Sequence, residues 1–260
     1  MDFEVTIVGA GFSGIAMAIA LQQAGICSFV LIEKGDDVGG TWRENRYPGC
    51  ACDVPSHLYS FSFAPNPSWS RMYSPQPEIW DYARRVTEQF QLRKHIRFNT
   101  VMAAARFEES SGTWLIETSD GATIRSRVLI CKMGALSRPS LPTIPGIETF
   151  KGPSFHSQQW NQHVDLAGKN VAVIGTGASA IQIIPKIAQK VKSLQLFQRT
   201  PVLRTFNDGI QASLRKAIWG SGCRSWYLDH NGRNTTIWPG YTWKFRQLTR
   251  RFNSADYEME

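Results

Sequence analysis

Apolar and polar positions follow two rhythms along this chain. Val5 to Val8 is a short run rich in β-branched residues that stops at Gly9, the pattern of a buried strand. Gly11 and Gly14 come next, and a helical spacing then runs from Ile15 to Gln23 with Gly25 as its stop. Ser28 to Ile32 reads as a second buried strand, closed by Glu33. Strand, glycine turn, helix and strand make one βαβ unit.

A Gly/Pro/aromatic stretch from Gly35 to Pro77 follows, and a loop of that length inside a compact domain is usually functional. Pro77 to Lys94 predicts a helix with proline near its start and apolar positions at Ile79, Trp80, Ala83, Val86 and Phe90. The rhythm then changes to period two. Val101–Phe107, Thr113–Thr118 and Thr123–Ile130 are separated by Ser111-Gly112 and Asp120-Gly121, which predicts an antiparallel meander. Pro139, Pro142, Pro145 and Pro153 mark a linker.

Beyond the linker the first pattern recurs. Asn170–Ile174 is a strand, Gly175, Gly177 and Ala180 form the turn, Ile181–Gln189 is a helix, and Ser193–Phe197 is a second strand. No clear strand follows Phe197, and basic, aromatic-rich helices are expected around Ile210–Trp219 and Tyr241–Phe252. The fold class expected is α/β: two Rossmann-like dinucleotide-binding units, an antiparallel meander and a helical C-terminal tail. The boundaries are 1–145, 146–205 and 206–260.

Composition narrows the class. With 260 residues, 42% hydrophobic and 19% charged, the chain is ordinary globular material, neither disordered nor collagen-like. Its net charge of +8 favours anionic ligands without choosing among dinucleotides, nucleic acid and anionic membranes. Five cysteines give no even disulfide framework, and Cys50-x-Cys52 lacks the zinc spacing, so no metal is expected. The acidic start Met-Asp-Phe-Glu is no secretory signal, and no window reaches the length of a membrane span. A reducing, cytoplasmic location is the expectation.

The glycine turns carry the chemistry. In G-x-G-x-x-G between strand and helix, the first glycine allows the tight turn and the second lets backbone approach a pyrophosphate. The third packs helix on strand. The pyrophosphate then meets the helix N-terminus, where free N–H groups favour anions. The same 24 positions separate Gly9 from Glu33 and Gly175 from Arg199, which suggests corresponding points in the two units. A carboxylate there accepts ribose hydroxyls and repels a 2′-phosphate, whereas an arginine pairs with one. The first unit should therefore hold FAD or NAD and the second NADP, with Thr200 adding a hydroxyl to the phosphate. Two such sites point to hydride transfer from NADPH to a flavin.

Four stretches resemble the flavin-dependent monooxygenases of the Baeyer–Villiger and flavin-containing class. They are Gly9-Ala-Gly-Phe-Ser-Gly14; Val38-Gly-Gly-Thr-Trp42 through Tyr47-Pro-Gly49 and Cys52-Asp53; Phe150-x-Gly152-x-x-x-His156-x-x-x-Trp160; and Gly175-Thr-Gly-Ala-Ser-Ala180 with Gln198-Arg-Thr-Pro201. The third is similar to the fingerprint of the class, and the tail from Gly222 to Gly240 resembles the family's C-terminal end. Cys131-Lys-Met-Gly134 stands where the family has Ala-Thr-Gly.

The resemblance implies FAD and NADPH as cofactors, O2 and a small organic substrate, and one oxygen atom inserted through a peroxyflavin. The outcome would be ketone to ester, or oxygenation of nitrogen or sulfur. It implies FAD contacts at Gly9, Gly11, Phe12, Ser13, Gly14, Glu33, Lys34, Gly40, Thr41, Trp42, Asp53, Val54, Tyr59 and Met102. NADP contacts fall at Gly175, Thr176, Gly177, Ser179, Ala180, Gln182, Arg199 and Thr200. Asp53 is the catalytic candidate, setting the electrostatics beside the flavin, and the family's arginine that pairs with the peroxyflavin has no counterpart.

Relative to the family, the chain passes almost directly from the NADP strand to the tail between Pro201 and Phe206, an internal shortening. Two readings stay open. One is an active monooxygenase. The other is a shortened relative that binds FAD without productive oxygenation: an NADPH oxidase, partner subunit or inactive product. Shortened sheets would leave apolar faces through which copies could associate. A nucleic-acid or membrane binder would rest on Lys244, Arg246, Arg250 and Arg251 near Trp243 and Phe245, but a solvated helix face is far commoner, and no nucleic-acid partner is expected.

Overall fold

The computed structural model describes residues 1–198 and the backbone of 246–251. The chain divides into two units, one of Met1–Arg46 with Ala51–Trp160, the other of Tyr47–Cys50 with the chain from Asn161 on.

In the first unit, β1 (Phe3–Val8), α1 (Phe12–Gln23) and β2 (Phe29–Ile32) form the expected βαβ start. A single helical turn, α2 (Thr41–Glu44), and the longer α3 (Gln76–Gln89) follow, then β3 (Ile96–Arg97), β4 (Met102–Glu108), β5 (Thr113–Thr118) and β6 (Thr123–Cys131). The sheet order is β3-β2-β1-β6-β5-β4. The first four run parallel, with Val8 level with Ile32 on one side and Cys131 on the other, while β4–β5 and β5–β6 are antiparallel. The meander thus returns its last strand alongside β1.

Val8, Val30, Ile32, Ile116 and Ile124 form one buried cluster, closed by Phe3, Met102, Ala105, Trp114 and Leu129. Each fully buried aliphatic side chain contributes roughly 1.5–3 kcal/mol. Helix α3 buries Ile79, Tyr82, Ala83 and Val86 and starts with Pro77 in its first turn, where a missing N–H costs nothing. It ends before the expected Lys94 because Gln91 turns left-handed (φ 51°) and Arg93–His95 tighten into a 3-10 turn.

Thr6 is wholly buried in β1, and its Oγ1 finds no hydrogen-bond partner among the described residues. A hydroxyl in that position bears its desolvation cost uncompensated. Thr6→Val should therefore raise stability by about 1 kcal/mol, read as a higher urea midpoint at unchanged slope.

The second unit holds β7 (Asn170–Ile174), α4 (Ala178–Ile187) and β8 (Ser193–Gln198), with β7 and β8 parallel. A third strand, β9 (Arg246–Arg251), pairs antiparallel with β8. This corrects the helix expected over Tyr241–Phe252 and the absence of a strand after Phe197. The outer edge of β8 is a row of N–H and C=O groups that an extended segment satisfies and a helix cannot. The rest of the expected tail, Ile210–Trp219 included, lies outside the described residues. Among the described residues no helix is long and apolar enough to cross a membrane.

Candidate functional site: the glycine turns

The β1–α1 turn is shaped by three glycines under different constraints. Gly9 has φ +101°, and a Cβ there would stand 2.6 Å from the Lys132 carbonyl oxygen at the end of β6. On Gly14 a Cβ would meet the Gly9 carbonyl oxygen at 1.9 Å, so the helix can lie this close to its strand only without a side chain. Around Gly11 there is room: among the described residues a Cβ would meet only Gly40, at an ordinary 3.6 Å from its Cα and 3.9 Å from its N. Gly11 is also the N-cap of α1, with no side-chain cap, and the first turn carries no acidic residue. The free N–H groups of that turn are therefore left for an anion.

Glu33 lies level with Gly9 at the end of β2. Its carboxylate is buried, Oε2 accepting from the Ala10 N–H (2.8 Å) and Oε1 from the Gly35 N–H (2.9 Å). A carboxylate has about four lone-pair sites, so acceptor capacity remains.

Opposite Gly11 stands a second glycine turn. The Gly39 N–H donates to the Ala10 carbonyl (3.0 Å), and Gly40 adopts φ +53° before α2 begins. The turn is tied to α3. Trp80 Nε1–H donates to the Val38 carbonyl (2.9 Å), and its ring lies beneath the Arg84 guanidinium at 3.8 Å. Asp37 accepts from Arg84 (2.6 Å) and Arg93 (3.0 Å). Burial pushes the Asp37 carboxyl up, but the Arg84 and Val38 N–H hydrogen bonds and both guanidinium charges outweigh it, leaving it below its ordinary value. The stabilisation is present above the unfolded-state carboxylate value of about 4 and lost as pH falls through the lower folded one. Asp37→Asn should cost about 1 kcal/mol, because the arginines are half-exposed and screened. In urea melts the difference from wild type should shrink below pH ~4.

Aromatic rings wall the turn. Trp42 Nε1–H donates to the Tyr59 hydroxyl (2.9 Å), and the Phe12 ring lies 5.5 Å from Tyr59 and 5.2 Å from Phe61. The Trp42 carbonyl accepts from the Gln76 side-chain amide. Burial raises the Tyr59 hydroxyl, opposed by the Trp42 hydrogen bond and reinforced by Cys52 and Asp53.

The structure therefore groups Gly9, Gly11, Phe12, Gly14, Glu33, Gly40, Trp42 and Tyr59 around one turn. Ser13, Thr41, Asp53 and Val54 are exposed, and Lys34 bridges Glu44 (2.7 Å) while donating to the Ser137 carbonyl. Met102 packs beside the core cluster. The roles of Asp37, Arg43, Trp80 and the Lys132 carbonyl are not visible in the sequence; only the position of Asp37 and Arg43 beside Val38-Gly-Gly-Thr-Trp42 sets them next to the turn.

Cys27, Cys50, Cys52 and Cys131 are free thiols. Burial pushes Cys50 up to about 11 against a hydrogen bond from Tyr47, and burial likewise raises Cys52. Neither is a thiolate at neutral pH, so neither is a nucleophile for disulfide exchange.

In the second unit Gly175 has φ +107° and Gly177 caps α4 without a side-chain bond. Among the described residues a Cβ on either would meet nothing within 4 Å. Ala180 is buried, Thr176 and Ser179 are half-buried, and Gln182 accepts from the Tyr47 hydroxyl (2.9 Å). Ile174 pairs with Phe197, so the residue level with Gly175 is Gln198. The correspondence of Arg199 with Glu33 is thus corrected by one position, because the connection from β7 to β8 is one residue shorter than that from β1 to β2. Arg199 and Thr200 lie outside the described residues.

A parallel βαβ start, a glycine-lined helix terminus and a carboxylate at the second strand's tip are the parts of a Rossmann-like βαβ unit. The chain belongs to the pyridine nucleotide-disulphide oxidoreductase family, whose model matches residues 6–220. More particularly, it is 52% identical over 198 residues to a Baeyer-Villiger monooxygenase of Streptomyces coelicolor, covering 76% of this chain and 38% of that one. It is 48% identical to one from Pseudomonas aeruginosa over the same shares. Among solved structures it resembles OTEMO in complex with FAD and NADP (TM-score 0.72, 42% identity, 76% of this chain and 39% of that). It also resembles open cyclohexanone monooxygenase (TM-score 0.71, 37% identity, 76% and 40%). The chain spans less than half the length of these relatives.

Proposed function

We propose that this chain carries the FAD site and the opening of the NADPH site of a flavin monooxygenase. Such an enzyme would transfer one oxygen atom from O2 to a small organic substrate, converting a ketone to an ester or oxygenating nitrogen or sulfur. The observation that supports it most is the uncapped start of α1 between Gly11 and Gly40, with the fixed Glu33 carboxylate beside it. Those residues fit FAD: the glycines leave space for a pyrophosphate, the α1 N–H groups offset its charge, and Glu33 accepts ribose hydroxyls while disfavouring a 2′-phosphate. Trp42, Tyr59 and Phe12 supply an apolar wall that excludes water, and Asp53 adds negative charge near Tyr59. Arg199, with Thr200, would select the phosphorylated nicotinamide dinucleotide. A bound flavin supplies hydride acceptance from NADPH and the reductive activation of O2.

The test is direct. Purified protein should be yellow, with a flavin absorption spectrum, and should consume NADPH with stoichiometric oxygenated product. Colourless protein that binds no added FAD sinks the proposal. Hydrogen peroxide without product would leave the cofactor sites standing and remove the oxygenation, giving an NADPH oxidase.

A further inference from the structure

The first unit buries a cation beside the Glu33 carboxylate. The Arg43 side chain is 8% exposed and crosses directly over Gly35, where a Cβ would stand 1.0 Å from its Nη1. Nη1 donates to the Asp37 carbonyl (3.2 Å) and the Asp36 carboxylate (3.4 Å). Nη2 lies between two carboxylates, 3.5 Å from Glu33 Oε1 and 3.3 Å from Glu44 Oε1. The same Glu44 oxygen is also held by Lys34 (2.7 Å), while Glu44 Oε2 accepts from the Gln158 amide (2.6 Å).

Gly35 has no left-handed backbone; what it provides is room. The residue two places after Glu33 is therefore small so that a guanidinium can reach the Glu33 carboxylate from the side away from Ala10. Arg43 is the sole cation contacting Glu33 among the described ion pairs, and its fork is fixed by three other acceptors, so it holds Glu33 in one orientation.

We propose that Arg43 is a positioning residue for Glu33, and that through it the turn discriminates adenosine diphosphates by their ribose hydroxyls. The proposal rests on the FAD reading above and deepens it. Without Arg43, Glu33 keeps no cation among the described ion pairs while Lys34 stays on Glu44, and the ribose-accepting geometry is lost while the α1 terminus that meets the pyrophosphate is untouched. Gly35→Ala should act alike, since it displaces the guanidinium without changing any charge.

The experiment is competition against FAD by ADP, 2′-deoxy-ADP and inorganic pyrophosphate, followed by flavin fluorescence, with urea melts of each apoprotein. Wild type should prefer ADP over its 2′-deoxy form by about tenfold. In Arg43→Gln and Gly35→Ala that preference should fall to about twofold or less while pyrophosphate competes as in wild type. A folded variant that keeps the full preference overturns the proposal, as does one that loses ADP, 2′-deoxy-ADP and pyrophosphate equally. Should Arg43→Gln fail to fold, Gly35→Ala, which keeps every charge, decides by the same two outcomes. Wild type that binds no FAD overturns this and the proposed function together, whereas wild type that binds FAD without an ADP preference overturns this alone.

Discussion

Gly11→Ala is expected to yield a folded protein that binds FAD at least a hundredfold more weakly. The expectation comes from an asymmetry among the three glycines. A methyl group on Gly14 would lie 1.9 Å from the Gly9 carbonyl oxygen, and on Gly9 2.6 Å from the Lys132 carbonyl oxygen, so either would force backbone apart. A methyl group on Gly11 would make only an ordinary contact with Gly40. The fold therefore does not require glycine at position 11, whereas a phosphate lying against the turn does. Pushing a pyrophosphate away loses two charge-assisted hydrogen bonds at about 1.5–3 kcal/mol each, roughly a hundredfold or more in affinity. Gly14→Ala is the contrast, expected to cost about 1–3 kcal/mol of folding stability from overpacking. Urea midpoints and FAD titrations together separate the two. A Gly11→Ala protein with wild-type affinity would remove the pyrophosphate from this turn.

The same asymmetry shows what the sequence could reveal. Spacing was enough to find the βαβ start, because a buried strand, three glycines and a helical stripe each leave a local mark. The meander was legible for the same reason: Gly112 and Gly121 take the positive φ that their turns require. What was not legible is contact made by backbone. The Lys132 carbonyl that forbids a side chain on Gly9 could have come from any residue type. The two-residue β3 is too short for any period, and α2 is a single turn whose start depends on two left-handed glycines. The strand β9 was hidden because basic residues obscure a two-residue alternation, and its pairing answers to the open edge of β8. Arg43 was overlooked because a lone arginine after Thr-Trp is indistinguishable in sequence from a solvated one; only its passage over Gly35 gives it a role.

Arg199→Glu should weaken NADPH binding by about a hundredfold or more while leaving NADH within about threefold. A 2′-phosphate carries nearly two negative charges at neutral pH, and a guanidinium pairs with it through a rigid fork. Exchanging that fork for a carboxylate removes the pair and adds repulsion, whereas NADH has a hydroxyl there that a carboxylate can accept from. The effect should diminish with added salt, because exposed charge pairs are screened over about 8–10 Å at physiological ionic strength. The pairing of Ile174 with Phe197 supplies the control, since it makes Gln198 the position level with Glu33. If that level position reads the ribose, Gln198→Glu will shift the preference toward NADH and Arg199→Glu will not. If the guanidinium reads the phosphate, the order reverses, and dissociation constants for both nucleotides against both variants distinguish the cases. An Arg199→Glu protein with an unchanged NADPH preference would take the phosphate away from this strand tip and leave the second glycine turn, open on both Gly175 and Gly177, without a selecting charge.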